Sequence, residues 1–219
     1  MIYLVPKERH LLMGNDKKPL SAAEQKRLDR FEKTSEELEQ QGYTRHDLTI
    51  RMGKANGFTL CLMLLLFVVG YGLFYLVHHR LDFTQVHYVI IVILALLLTV
   101  LHELIHGFCF SLFTPHRFGD IEFGIMKPSL TPYCTCLVPL KKEHYLFGIL
   151  MPFILLGVLP MAAGILLGQP DVLFLGIIMA AGAGGDLLIA WRILRYQSQA
   201  KEIIFMDHPT EAGCVVFER

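Results

Sequence analysis

The 219-residue chain is 53% hydrophobic and 18% charged, with a formal net charge of zero. A neutral chain carries no field that would draw it to nucleic acid or to an acidic partner. Its five cysteines, an odd number scattered along the chain, make no disulfide framework. The charges are gathered into particular stretches with long apolar runs between them, which is the distribution of a membrane protein.

Met1 to Pro6 is too short an apolar start, and too soon followed by charges, for a signal peptide, so the N-terminus is expected to be retained. Ser21 and Glu24 stand at capping-box spacing, and the chain stays helix-favouring until Gly42. Leu28, Phe31 and Leu38 form a narrow apolar stripe, which predicts a solvated helix resting on the protein or on a membrane surface. Tyr43 to Ile50 reads as a short strand. Residues 1–56 are thus expected as an N-terminal region ahead of a membrane core over 57–195, with a tail over 196–219.

Phe58 to Val77 is twenty residues without a charge, enough to cross about 30 Å of hydrocarbon. Three more spans are expected, at about 86–113, 145–168 and 172–194, the third kinked by Pro152 and Pro160. The expected fold is an α-helical membrane protein, a four-helix bundle with a β-hairpin and a short C-terminal β tail. Eleven Lys and Arg precede the first span, one lies between spans one and two, four between two and three, none between three and four, and four from Arg192 onward. This bias places both termini and the 114–144 segment in the cytoplasm of a multi-pass cell-membrane protein.

Within the second span, His102, Glu103 and His106 spell H-E-x-x-H. Positions i and i+4 share a helix face, where two imidazoles can grip one ion. Ionisable side chains at membrane depth cost about 2.5 to 3.5 kcal/mol each on insertion scales, so three together point to a task. The chemistry that uses this spacing is zinc hydrolysis, in which the metal acidifies a bound water and the intervening glutamate, here Glu103, takes its proton.

Two histidines leave tetrahedral zinc one protein ligand short. His102 and His106 stand 11 and 7 residues before Phe113, and Asp186, the acid inside span four, stands 9 before Arg195. At helical rise these depths are roughly 16, 10 and 13 Å. Gly182 to Gly185 precede Asp186, and small residues let helices approach closely. Asp186 is therefore the expected third ligand, with an orienting role toward a histidine as the alternative. His116, Asp120, Glu122, Glu143 and His144 lie at the same membrane face and compete with it; His78, His79, Asp82 and His87 lie on the other side.

Arg117 to Val138 reads as a hairpin, two β-prone runs about the Pro-rich Lys127 to Pro132, able either to pair with an extended peptide or merely to cover the bundle. Cys134-Thr-Cys136 is a C-x-C without a second matching pair, read as reduced thiols ahead of a metal or redox pair. Glu202 to Phe217 reads as strand-turn-strand, with Asp207 and His208 forming the turn.

An H-E-x-x-H in one membrane helix, a following hairpin and an Asp in a later helix resemble the site-2 protease class of intramembrane metalloproteases. More closely, His102-Glu-Leu-Ile-His-Gly-Phe108, Ile121-Glu-Phe-Gly-Ile125 and Gly184-Gly-Asp-Leu187 resemble the bacterial family named "putative zincin peptidases", over roughly residues 43–217. The resemblance implies zinc at His102, His106 and Asp186 with Glu103 as catalytic base. Site-2 proteases usually present Leu-Asp-Gly and an upstream Asn, whereas this chain has Gly185-Asp186-Leu187 and its asparagines are Asn15 and Asn56.

These readings converge on a membrane zinc metalloprotease whose partners are the bilayer and a membrane protein or peptide substrate. The alternatives are a non-catalytic scaffold or transporter retaining a zinc site, and a zinc hydrolase of a non-peptide substrate. A transporter should carry ionisable residues along a path through the bundle, and spans one and three have none inside.

Overall fold

The computed structural model describes residues 21–81, 86–126 and 131–219. The opening apolar start, Asp82 and the 127–130 part of the expected Pro-rich turn lie outside them.

Helix α1, Ala22–Gln40, begins at the expected capping box: the Glu24 N–H donates to the Ser21 hydroxyl and the Ser21 N–H to the Glu24 carboxylate. Strand β1 is Thr44–Thr49, followed by α2, Met52–His78, and α3, Tyr88–Ser111. A 3-10 turn, Arg117–Asp120, leads into β2, Ile121–Met126, which pairs antiparallel with β3, Thr131–Cys136. After the two-residue β4, Leu140–Lys141, comes the third apolar helix: α4, Lys142–Pro152, a π-helical stretch Phe153–Val158, and α5, Leu159–Leu167. Then follow α6, Pro170–Gly182, α7, Gly184–Arg195, β5, Ile203–Asp207, and β6, Gly213–Glu218.

The protein is mostly helical with a small amount of sheet. Among the described residues, three helices are long and apolar enough to cross a membrane, and α6 with α7 makes a fourth if the bent pair counts as one span. Large apolar side chains such as Leu64, Val68, Leu76, Val89 and Leu96 stand exposed along α2 and α3, as a lipid-facing surface requires. The single span expected over 172–194 is instead broken at Ala183, with α6 and α7 bent by 51°. Glycines on both sides of Ala183 favour the break, since they stabilise helix poorly.

The N-terminal region and the C-terminal tail, expected as separate pieces, share one antiparallel sheet of order β1-β6-β5-β4. An isolated two-stranded tail is marginal in water, and this one is completed by β1 on one side and β4 on the other. Alternate residues of β5 and β6 face opposite ways. Met206, Val215 and Phe217 pack under Phe31 and Leu38 of α1, whereas Phe205, Cys214 and Val216 pack with Tyr145 and Ile149 of α4 and Ala190 and Ile193 of α7. The helix α1 therefore rests on protein, and not by its apolar stripe alone. Buried Arg27 pairs with Glu122 at 3.0 Å and lies over the Tyr133 ring, while Arg30 pairs with buried Asp120 at 2.9 Å. These contacts tie the hairpin to the sheet.

Candidate metal centre

One turn apart on α3, His102 and His106 are both buried, and their rings meet edge to face with centroids 4.7 Å apart. Asp186 lies in the first turn of α7, just past the break at Ala183. Its Oδ2 is 3.0 Å from His102 Nε2 and 3.4 Å from His106 Nε2, and the two Nε2 atoms are 3.1 Å apart. The Nδ1–H of His106 donates to the Gly148 carbonyl at 2.9 Å, so a neutral ring presents a lone pair at Nε2.

Three atoms that can each offer an electron pair thus converge on one point, an arrangement suited to a cation between them. Ligand atoms on tetrahedral zinc lie about 3.3 Å from one another, given bonds of about 2.0 to 2.2 Å. Edges of 3.0, 3.1 and 3.4 Å fit that size. Among the described residues, His102, His106 and Asp186 are the group of His, Cys, Asp and Glu side chains that could hold a metal ion.

The competing acids and histidines are engaged elsewhere. Glu122 accepts from Arg27 and Tyr133, and Asp120 from Arg30 and the His116 N–H. His144 stacks on Phe113 at 4.0 Å, Glu143 is exposed, His78 bonds the Ile165 carbonyl, and His87 pairs with Asp171 at 2.7 Å.

Glu103 is half-buried on α3, one residue from the first histidine, with the Cys134 N–H of β3 facing its carboxylate. The ladder explains why that donor is available. Leu137 N–H bonds the Asp120 carbonyl, so the pairs Glu122/Thr135 and Gly124/Tyr133 exchange bonds while Phe123/Cys134 and Ile125/Pro132 turn their backbone polar groups outward. Pro132 consequently costs the ladder no donor. The hairpin sits close on α3 because Gly107 has no side chain: a Cβ there would collide with the Phe123 ring.

Asp207 does not form a turn, which corrects the expectation for it. Its carboxylate is buried in β5, accepting from the Cys136 N–H at 2.7 Å and from the Tyr145 hydroxyl. Burial pushes the Asp207 pKa up against the pull of those two donors. His208 does serve the turn, its Nδ1 accepting from the Thr210 and Glu211 N–H groups. Burial also drives the Cys134 thiol far up and Cys136 to about 12, so both are protonated at neutral pH and neither is a thiolate ready for metal or oxidant.

Three groups around the centre were not anticipated: the Gly148 carbonyl, the Cys134 N–H and buried Asp207. Backbone groups leave no direct mark in a sequence. Asp207 carried only a weak one, as an acid closing the apolar run Ile203 to Met206.

No curated protein and no solved structure matches the chain. The family model described as "Putative zincin peptidase" matches residues 95–201, a segment holding both histidines, Glu103, the hairpin and Asp186. Over that segment the chain is similar to the putative zincin peptidase family.

Proposed function

We propose that the protein is an integral membrane zinc metallopeptidase that cleaves peptide bonds at or within the cytoplasmic half of the bilayer. The observation that carries this reading is the convergence of His102, His106 and Asp186 beside Glu103, in the segment matched by the family. Zinc held by those three side chains would supply Lewis acidity toward the scissile carbonyl and acidify a water. Glu103 takes the proton of the attacking water and returns it to the leaving amine. The Cys134 N–H faces the Glu103 carboxylate, and the surrounding helices would limit the entry of bulk water. Zinc analysis of the detergent-purified chain, paired with a count of new N-termini in a membrane-protein mixture with and without Glu103, tests the reading.

Placement in the membrane is supported by a parity argument. Strands β1, β4, β5 and β6 belong to one sheet, so the chain must be on the same side of the bilayer before α2, after α3 and after α7. Helices α2 and α3 cross twice between β1 and β4. Since the helix over 142–167 crosses once, α6 and α7 must together cross back, which makes four spans. The Lys and Arg bias assigns the sheet side to the cytoplasm. Reporter fusions after residues 56, 80, 137 and 205 are expected to read inside, outside, inside, inside. An outside reading at 137 or 205 contradicts the shared sheet.

The substrate we propose is an extended segment of a membrane protein, received by the hairpin. On β3 the outward N–H groups face carboxylates, Cys134 that of Glu103 and Cys136 that of Asp207, to which it donates at 2.7 Å. Strand β2 turns Phe123 and Ile125 outward, and their side chains are 41% and 63% exposed. An added strand binds through such backbone groups. Ile125→Pro removes one donor and little packing, and is expected to lower the cleavage rate about tenfold at unchanged zinc content, for one lost hydrogen bond. Cleavage at the wild-type rate would remove β2 as the receiving edge.

A further inference from the structure

We propose that Pro152 is a positioning residue for the metal centre: lacking an N–H, it leaves the Gly148 carbonyl to the Nδ1–H of His106. The inference rests on the metal-centre reading above.

In an α-helix the carbonyl of residue 148 is taken by the N–H of residue 152. Here residue 152 is a proline, fully buried within α4, and it has no N–H to give. The N–H of Phe153 goes to the Leu150 carbonyl, and the helix continues as the π-helical stretch Phe153–Val158. A π-helical segment inside a longer helix often marks a functional site. The Gly148 carbonyl, without its usual helical donor, accepts from His106 Nδ1 at 2.9 Å. That approach of α3 to α4 depends on residue 148 being glycine, because a Cβ there would run into the Phe110 ring, which in turn stacks on His106 at 14°.

The consequence is chemical. A carbonyl only accepts, so the neutral His106 ring carries its proton on Nδ1 and keeps the Nε2 lone pair pointed at His102 and Asp186. In the opposite tautomer, Nε2 carries the proton and faces the Asp186 carboxylate 3.4 Å away as a donor, closed to a metal. Gly148 and Pro152, four residues apart on a neighbouring helix, therefore select the metal-binding form of a histidine on α3.

A proline that merely shapes a helix gives a different result from one that orients a ligand, and Pro152→Ala separates them. Alanine restores an N–H that competes for the Gly148 carbonyl. In the full-length protein in detergent, zinc affinity measured by chelator competition is expected to fall about 10- to 100-fold, the usual loss when an outer partner of a ligand is removed. The thermal midpoint without metal should be equal or higher, since an interior proline disfavours a helix. Nitrogen NMR of histidine-labelled, metal-free protein should show His106 leaving the Nδ1–H form. Pro160→Ala is the control: it restores an N–H at the end of the π-helical stretch, where its acceptor is the Leu155 or Leu156 carbonyl and neither is bonded to His102, His106 or Asp186, and zinc affinity should stay at the wild-type level. The inference is overturned if Pro152→Ala binds zinc as the wild type does, if it loses heat stability along with zinc, or if both variants weaken zinc equally. A wild type that binds no zinc overturns the metal-centre reading itself, a distinct result.

Discussion

Glu103→Gln is expected to carry as much zinc per chain as the wild type, and to lose about 10²- to 10⁴-fold in cleavage rate, the share that a positioned general base supplies. Glutamine keeps the length and an acceptor oxygen for the Cys134 N–H, so β3 and α3 should stay in register. What it cannot do is take a proton. The carboxylate of Glu103 is not among the three ligand groups that converge on the centre, which is why metal content and turnover should separate. Metal quantification beside N-terminal labelling of cleaved membrane proteins reads both. A variant that turns over at the wild-type rate removes Glu103 from the mechanism, and one that loses zinc makes Glu103 a ligand.

Asp186→Ala should release zinc as His106→Ala does, with an affinity loss well beyond the roughly 10- to 100-fold expected for an orienting partner. Asp186 Oδ2 stands 3.0 and 3.4 Å from the two Nε2 atoms, in the position of a third ligand and not behind either ring. Removing it leaves two imidazole nitrogens 3.1 Å apart with no anion to offset a doubly charged ion. Asp186→Asn keeps the shape and removes the charge, and an amide is a poorer zinc ligand than a carboxylate, so affinity should fall there too. Zinc retained within tenfold in both variants would show that Asp186 orients His102 and that another group completes the site. The circular dichroism and melting of each variant confirm that the bundle persists.

The parts of this arrangement that were legible in the sequence are those that depend on a side chain and its spacing. Apolar run length marked the helices, the i, i+4 histidines marked a shared face, and depth along two apolar runs brought Asp186 level with them although it lies 84 residues from His102. What escaped depends on backbone or on distant partners. Gly182 to Gly185 was read as a stripe for close helix contact, and it is also where the fourth span breaks. Pro152 was read as a kink, because nothing in one helix says which neighbour will use the carbonyl it frees. In α1 the apolar stripe was visible, but the ion pairs of Arg27 and Arg30 with the hairpin join residues 95 and 90 positions apart, and charged residues on a helix usually face water. Asp207 was misjudged for the same reason: its partners, Tyr145 and Cys136, come from other elements.

The pairing of β1 with β6 sets an order of assembly. Thr49 meets Gly213 across the sheet, so about 160 residues must be synthesised before β1 finds its neighbour, which at 5 to 20 residues per second takes roughly 10 to 30 s. Throughout that interval β1 and the apolar underside of α1 wait without cover while the long apolar helices between them are made. Because β6 is an inner strand, a chain cut short before it leaves β1 and β5 with no common partner. On the proposed topology, closure of the sheet would report that every preceding segment has been inserted with the right parity, and a chain that failed to insert would keep an open strand edge as a handle for chaperones and proteases.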